Sequence, residues 1–240
     1  MIATMPVENF LIIDIETVSE KKSFDELDEN WQQLWQDKVE KIIPENTTIA
    51  EFYPQRAAVM AEFAKIVCIS IGYFNKQQQL QFRVKSITNH SEKEILTQFV
   101  ATINQLELIH NRWSFTGHNI KEFDIPFICR RLLINGLPIP AYLDFQNMKP
   151  WDTNIIDTFQ LWRFGDFKNY TSLKLLAASL QVPSPKDDID GSMVGQVYWQ
   201  ESDLERIALY CQKDVATVAN IILKFKNQPL LLPNQIVFVK

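Results

Sequence analysis

Four consecutive apolar residues, Phe10-Leu11-Ile12-Ile13, run into a carboxylate, an isoleucine and a second carboxylate, Asp14-Ile15-Glu16. A short apolar run bounded by polar residues reads as a central strand, which other elements must cover. Alternation then puts residues 14 and 16 on one face and Ile15 on the other, in a core layer. Like charges side by side repel, and an unpartnered carboxylate taken out of water neutralises, pairs or binds a metal. An isolated D-x-E is also explained as a plain strand end, one acid capping a turn and the other solvated.

The remaining pattern says what covers that strand. Residues 64 to 74 and 80 to 87 are two further strand-like runs joined by a polar turn, a hairpin. Residues 91 to 107 open with Ser91 and Glu94 in capping-box spacing and carry Ile95, Phe99, Ile103 and Leu106 down one helical face. A strand over 112 to 119, a helix over 124 to 137 ended by Gly136 and Pro138, and a strand over 153 to 159 follow. Residues 172 to 180 and about 202 to 226 read as helices separated by a Pro- and Asp-rich loop. The segment 18 to 63 reads as a helical insertion, with Ser23 as cap and Trp31, Leu34, Trp35 and Val39 at helical spacing. No repeat or linker divides the chain. The expectation is one α/β domain over 1–240, a mixed five-stranded sheet flanked by helices, with a core of about 9–226 and a tail at 227–240.

Composition excludes some classes. At 46% hydrophobic and 12% aromatic, the 240 residues suit a globular core rather than disorder. No stretch approaches the roughly 18 apolar residues of a membrane span, and the first residues lack the features of a signal peptide, so a cytoplasmic protein without membrane association is expected. Cys68, Cys129 and Cys211 are far apart with no zinc-like spacing and read as buried free thiols. A net charge of −5 argues against a protein coated in basic residues.

Two further segments carry acids in suggestive settings. In "GHNIKEFDIPF", Asp124 precedes a helix with Pro126 in its first turn and is locally explained as an N-cap. His118 there is more readily a satisfied loop side chain than a general base. In "YCQKDV", Tyr210 and Asp214 are one helical turn apart, explained equally by a Tyr–Asp hydrogen bond tethering the helix.

Together the three segments resemble the DEDD superfamily of 3′→5′ exonucleases, in order and spacing: Asp14-Ile15-Glu16, Asn119 to Phe123-Asp124, and Tyr210 to Asp214. The tyrosine marks the DEDDy branch. "DIET", "AEFAKIVCISIGYF", "GHNIKEFDIPFICRR", "DGSMV" and "YCQKDVATV" are similar to stand-alone predicted exonucleases related to the proofreading domain of family-B DNA polymerases, over residues 10 to 225. The resemblance implies an RNase H-like (DnaQ-like) fold. It implies a two-metal-ion hydrolysis that trims single-stranded nucleic acid from the 3′ end and releases nucleoside 5′-monophosphates.

The implied cofactors are two divalent ions, Mg2+ or Mn2+, which suit four carboxylates better than zinc does. By the resemblance Asp14 bridges both ions, Glu16 and Asp214 serve the ion that activates water, Asp124 serves the other, and Tyr210 orients the attacking water. Thr17, Asn119 and Phe123 are the implied substrate contacts, Thr17 at the terminal 3′-OH. Lys121, Arg130, Arg131, Arg163, Lys168 and Lys174 are candidates to line a phosphate groove. Asp157 is a candidate to support the site, whereas Asp152, Asp187, Asp188 and Asp190 read as turn and capping residues. DNA is favoured over RNA because no added RNA-binding domain is recognisable. An RNA-trimming exonuclease and a non-catalytic nucleic-acid-binding module are the alternatives, and nothing identifies a protein partner.

Overall fold

The computed structural model describes residues 2–76, 79–110, 112–146, 148–149, 153–183 and 188–239. The first strand, β1 (Phe10–Ser19), is followed by helices α1 (Glu29–Val39) and α2 (Ile49–Arg56) of the insertion. Then come β2 (Ala64–Lys76), β3 (Leu80–Thr88), α3 (Glu92–Ile109), β4 (Ser114–Gly117), α4 (Asp124–Ile134), β5 (Ile155–Asp157) and α5 (Thr158–Arg163). The last third holds α6 (Leu173–Ser179), the short α7 (Val194–Gln196), the long α8 (Leu204–Phe225) and β6 (Ile236–Val239). No helix among the described residues is long and apolar enough to cross a membrane.

Among the described residues six strands form one sheet in the order β5-β4-β1-β2-β3-β6. β1 pairs antiparallel with β2 and parallel with β4, while β2 and β3 form the expected hairpin. The sixth strand corrects the expected count of five. It comes from the tail, where Ile236 to Val239 pair in parallel with Phe82 to Lys85 of β3.

Strand alternation divides the core into two layers. Leu11, Ile13 and Ile15 pack with Ile95, Phe99 and Ile103 of α3 and Ile128 and Leu132 of α4. Phe10 and Ile12 face the other way, onto Val215, Val218, Ala219 and Ile222 of α8. Residues of β2 opposite the second face are small: register pairs Ile12 with Gly72, Asp14 with Ser70 and Glu16 with Cys68. At Gly72 an added Cβ would lie 2.3 Å from the Phe82 ring and 2.7 Å from Val215 Cγ1, so glycine lets α8 sit close to the sheet. Ser86 of β3 donates to the Ala208 carbonyl of α8 at 3.3 Å, and its hydroxyl lies 2.6 Å from that of Ser70.

Three expected caps are used differently. Ser23 precedes a separate single turn, Phe24 to Glu26, and α1 is capped instead by Asp28, which accepts from Trp31 N–H. Of the four residues at helical spacing, Trp35 and Val39 are buried, whereas Trp31 and Leu34 are exposed. Ser91 holds the N-cap position of α3 without a side-chain cap bond; Asn89 binds both the Ser91 N–H and Glu94. Phe123, not Asp124, is the N-cap residue of α4, which frees the Asp124 carboxylate for another partner.

Arg131 ties the elements around α4 together. Its guanidinium donates to both oxygens of Glu92, to the Ala61 carbonyl at 2.9 Å and to Glu20, with Arg131 and Glu92 both buried. Glu92 also accepts from Ile66 N–H at 2.7 Å. Arg131 is therefore a buried structural cation, which removes it from the candidate phosphate contacts.

Candidate active site

The parallel pairing of β1 with β4 stops at Ile12 and Thr116, so β1 continues toward Asp14 without that neighbour. The carboxylate of Asp124, on the first residue of α4, takes over the vacated edge: Ile15 N–H donates to its Oδ1 at 3.1 Å. This bond places Asp124 between the levels of Asp14 and Glu16. Just after Glu16 the β1–β2 register shifts by a bulge, a local bend of the kind found beside active sites.

The polypeptide reaches Asp124 through a tight reversal. An added Cβ at Gly117 would lie 2.9 Å from the Ile13 carbonyl, and Asn119 is left-handed at φ 62°. Asp157 holds this turn from beneath, accepting from Asn119 N–H at 2.9 Å and Lys121 N–H at 3.1 Å while capping α5 through Phe159 N–H. His118 sits between the Thr158 hydroxyl (3.0 Å) and the Thr171 carbonyl (2.9 Å), and burial pushes its pKa below the ordinary value. It is a positioning group that fastens two loops.

From the opposite side α8 brings Tyr210, Cys211 and Asp214. The Cys211 thiol donates to Asp14 Oδ2 at 3.2 Å and to the Asp14 carbonyl at 3.4 Å. Asp14 and Asp214 line one cavity of about 880 Å³, together with Tyr210, His118, Tyr170 and Lys174.

The electrostatics record how close the acids are. Burial, then the charges of Asp124 and Asp214, raise the Asp14 carboxyl well above its usual range. Burial, then Asp14 and Asp214, do the same to Glu16. Burial pushes Asp124 up to about 7, against the lowering effect of its backbone hydrogen bonds, with Asp157 raising it further. Tyr210 is driven far above its ordinary value by burial and then by Asp214, Glu16 and Asp14, and it hydrogen-bonds Asp214. Its phenol therefore holds its proton more firmly than an ordinary tyrosine does.

The two β1 carboxylates fit a divalent cation: their ligating atoms and the Cys211 thiol lie within 4.8 Å of one another, and carboxylates that repel each other are the set a small divalent ion relieves. Cys211 is the member sequence reasoning missed. Its only signal was position, three residues before Asp214 and hence on the same helical face.

The expected substrate contacts are less uniform. Thr17 donates its hydroxyl to the Ala58 carbonyl at 2.7 Å. Asn119 presents a buried Oδ1 without a hydrogen-bond partner among the described residues. Phe123 packs at 5.3 Å between ring centroids on Phe127. Lys121 and Arg130 line a second groove, of about 570 Å³, along α4. Asp188 pairs with Arg206 at 2.7 Å and Asp190 caps a turn at Ser192, whereas Asp152 and Asp187 lie outside the described residues.

A family model described as a predicted 3′-5′ exonuclease related to the exonuclease domain of PolB matches residues 58–229. The matched span contains Asp124, Tyr210 and Asp214 and begins after Asp14 and Glu16. Among solved structures, the family B DNA polymerase from the hyperthermophilic archaeon Pyrobaculum calidifontis is similar, with a TM-score of 0.52 at 13% identity. The likeness covers 92% of this chain and 24% of that one, so the chain spans about a quarter of the polymerase's length, and at this identity it shows the fold. No curated protein matches the chain.

Proposed function

Because the chain belongs to the predicted 3′-5′ exonucleases related to the exonuclease domain of PolB, we propose that it removes nucleoside 5′-monophosphates one at a time from the 3′ end of single-stranded DNA. Asp14, Glu16, Asp124 and Asp214 would hold two divalent ions, Mg2+ or Mn2+. The observation that carries this reading is the insertion of the Asp124 carboxylate against Ile15 N–H, where its charge and that of Asp214 both act on Asp14.

Water adds to phosphorus, the bond from phosphorus to the 3′ oxygen of the preceding nucleotide breaks, and that oxygen leaves as the new 3′-hydroxyl. When bound, the ions would neutralise the phosphate, ease ionisation of the water and stabilise the departing oxygen. The rest falls to the chain itself. Tyr210, whose phenol is hydrogen-bonded to Asp214, orients the attacking water through its hydroxyl oxygen rather than accepting a proton from it. Asn119 offers its unpartnered Oδ1 to the terminal nucleotide. Thr17, having spent its proton on Ala58, accepts a hydrogen bond from a 3′-hydroxyl, and Phe123 offers a ring edge.

Strands from both ends of the chain share one sheet, which supports treating 1–240 as a single exonuclease unit. The three free cysteines support residence in the reducing cytoplasm.

The test is incubation with 3′- and 5′-labelled DNA and RNA oligonucleotides in Mg2+, Mn2+ or chelator. Stepwise shortening of DNA from the 3′ end, abolished by chelator and by Asp14→Ala, is expected; RNA shortened in preference to DNA would replace the substrate, and chelator-resistant degradation would refute the mechanism. Mn2+ should raise the melting temperature of the wild type by linkage, and not that of Asp14→Ala.

A further inference from the structure

Beside the acid cavity the chain leaves a ridge of uncovered aromatic rings. α5 ends at Arg163, and Phe164, Phe167 and Tyr170 of the following segment are 90%, 77% and 65% exposed. Three large exposed rings in seven residues are the kind of apolar surface that marks a binding site. Phe164 is held left-handed at φ 45°, a conformation bulky residues adopt only at a cost.

The ridge is built rather than frayed. Asp166 accepts from Lys168 N–H and from the Asn169 amide, and the Arg163 guanidinium lies 3.9 Å over the Phe159 ring and 5.7 Å over that of Phe167. Tyr170 packs on Phe159 with ring centroids 5.0 Å apart, and it lines the cavity that holds Asp14 and Asp214. The ridge is thus continuous with the site. Its charge also differs from that of the whole: residues 163 to 174 carry Arg163, Lys168 and Lys174 against Asp166 alone, in a chain of net charge −5.

We propose that Phe164, Phe167 and Tyr170 form a stacking platform for the bases of a single-stranded nucleic acid whose 3′ end occupies the acid cavity, with Lys168 and Lys174 at its phosphates. The proposal rests on the exonuclease reading and deepens it. Aromatic faces stack any base, so the platform is tolerant of sequence, and a duplex, whose base faces are already stacked, cannot use it. Basic side chains placed beside the rings complement a phosphate backbone and do nothing for an apolar protein partner.

The test is equilibrium binding in chelator, which needs no turnover. The probes are a short 5′-fluorescein oligothymidylate and the same oligonucleotide with abasic sites near its 3′ end, followed by fluorescence anisotropy. The wild type should bind the intact strand more tightly than the abasic one. The double variant Phe164→Ala/Phe167→Ala should lose at least about tenfold on the intact strand and no longer distinguish the two. Leu108→Ala, which removes a side chain 89% exposed on α3, should bind as the wild type does.

Unchanged binding by the double variant, or persistent discrimination against the abasic strand, would overturn the platform. So would unchanged binding accompanied by loss of a self-associated species in sedimentation, which would make the ridge a protein interface. A wild type that shortens DNA but binds it independently of the ridge sinks the platform alone; one that binds through the ridge and never shortens DNA sinks the exonuclease reading alone.

Discussion

With its pKa pushed up to about 7 by burial, the Asp124 carboxyl is partly protonated at neutral pH when no cation is present. A carboxyl raised above its unfolded value, near 3.8, contributes stability that is whole below that value and fades as pH climbs through 7. Asp124→Asn keeps an acceptor for Ile15 N–H and removes the charge. In metal-free buffer its melting temperature, relative to the wild type, should therefore rise between pH 5 and pH 8; a pH-independent difference would contradict the buried charge. Tyr210→Phe removes one hydrogen bond to a charged neighbour, so turnover should fall about 10- to 100-fold while the pH–rate profile keeps its shape. A lost alkaline limb would mean the phenol acts as a base. At this scale much of the site was legible: strand alternation joins Asp14 to Glu16, and helical spacing joins Tyr210 to Asp214. Cys211 and the Ile15 N–H were not, because both contacts depend on where β4 stops and how deep α8 lies.

Among elements, α4 has the most consequential anchorage. It begins at Asp124, and one turn from its end Arg131 binds Glu92 of α3, Ala61 at the close of the insertion and Glu20 just past β1. Removing one partner of a buried ion pair leaves the other uncompensated, so Arg131→Ala should cost about 3–5 kcal/mol in denaturant unfolding. Arg131→Lys should recover little, since an ammonium cannot reproduce the forked contact with Glu92. A loss under about 1 kcal/mol would assign the pair to the solvated class. The sequence showed helices and strands in the right order because periodicity is local. It placed Ser91 correctly at the start of α3 but not its partner, and the locally adequate caps Ser23 and Asp124 give way to neighbours or tertiary partners that compete better.

Across the whole molecule the sheet draws on both ends of the chain. The tail's strand escaped the sequence because its half-exposed Ile236 to Val239 acquire a reason to be extended only beside β3, some 150 residues away. Distance in sequence also hides how the acids are spaced. Asp14 and Glu16 belong to the sheet, Asp214 belongs to α8, and the separation between those two bodies is fixed where Val215 meets Gly72. Gly72→Ala would push α8 outward and carry Asp214 with it. Its Mn2+-induced rise in melting temperature should shrink well below that of the wild type, while the far-ultraviolet circular dichroism stays native; a full rise would show that α8 is not held there. A sequence could then preserve every acidic signature and still be a dead enzyme, disarmed by one methyl group at a position outside the three acidic motifs.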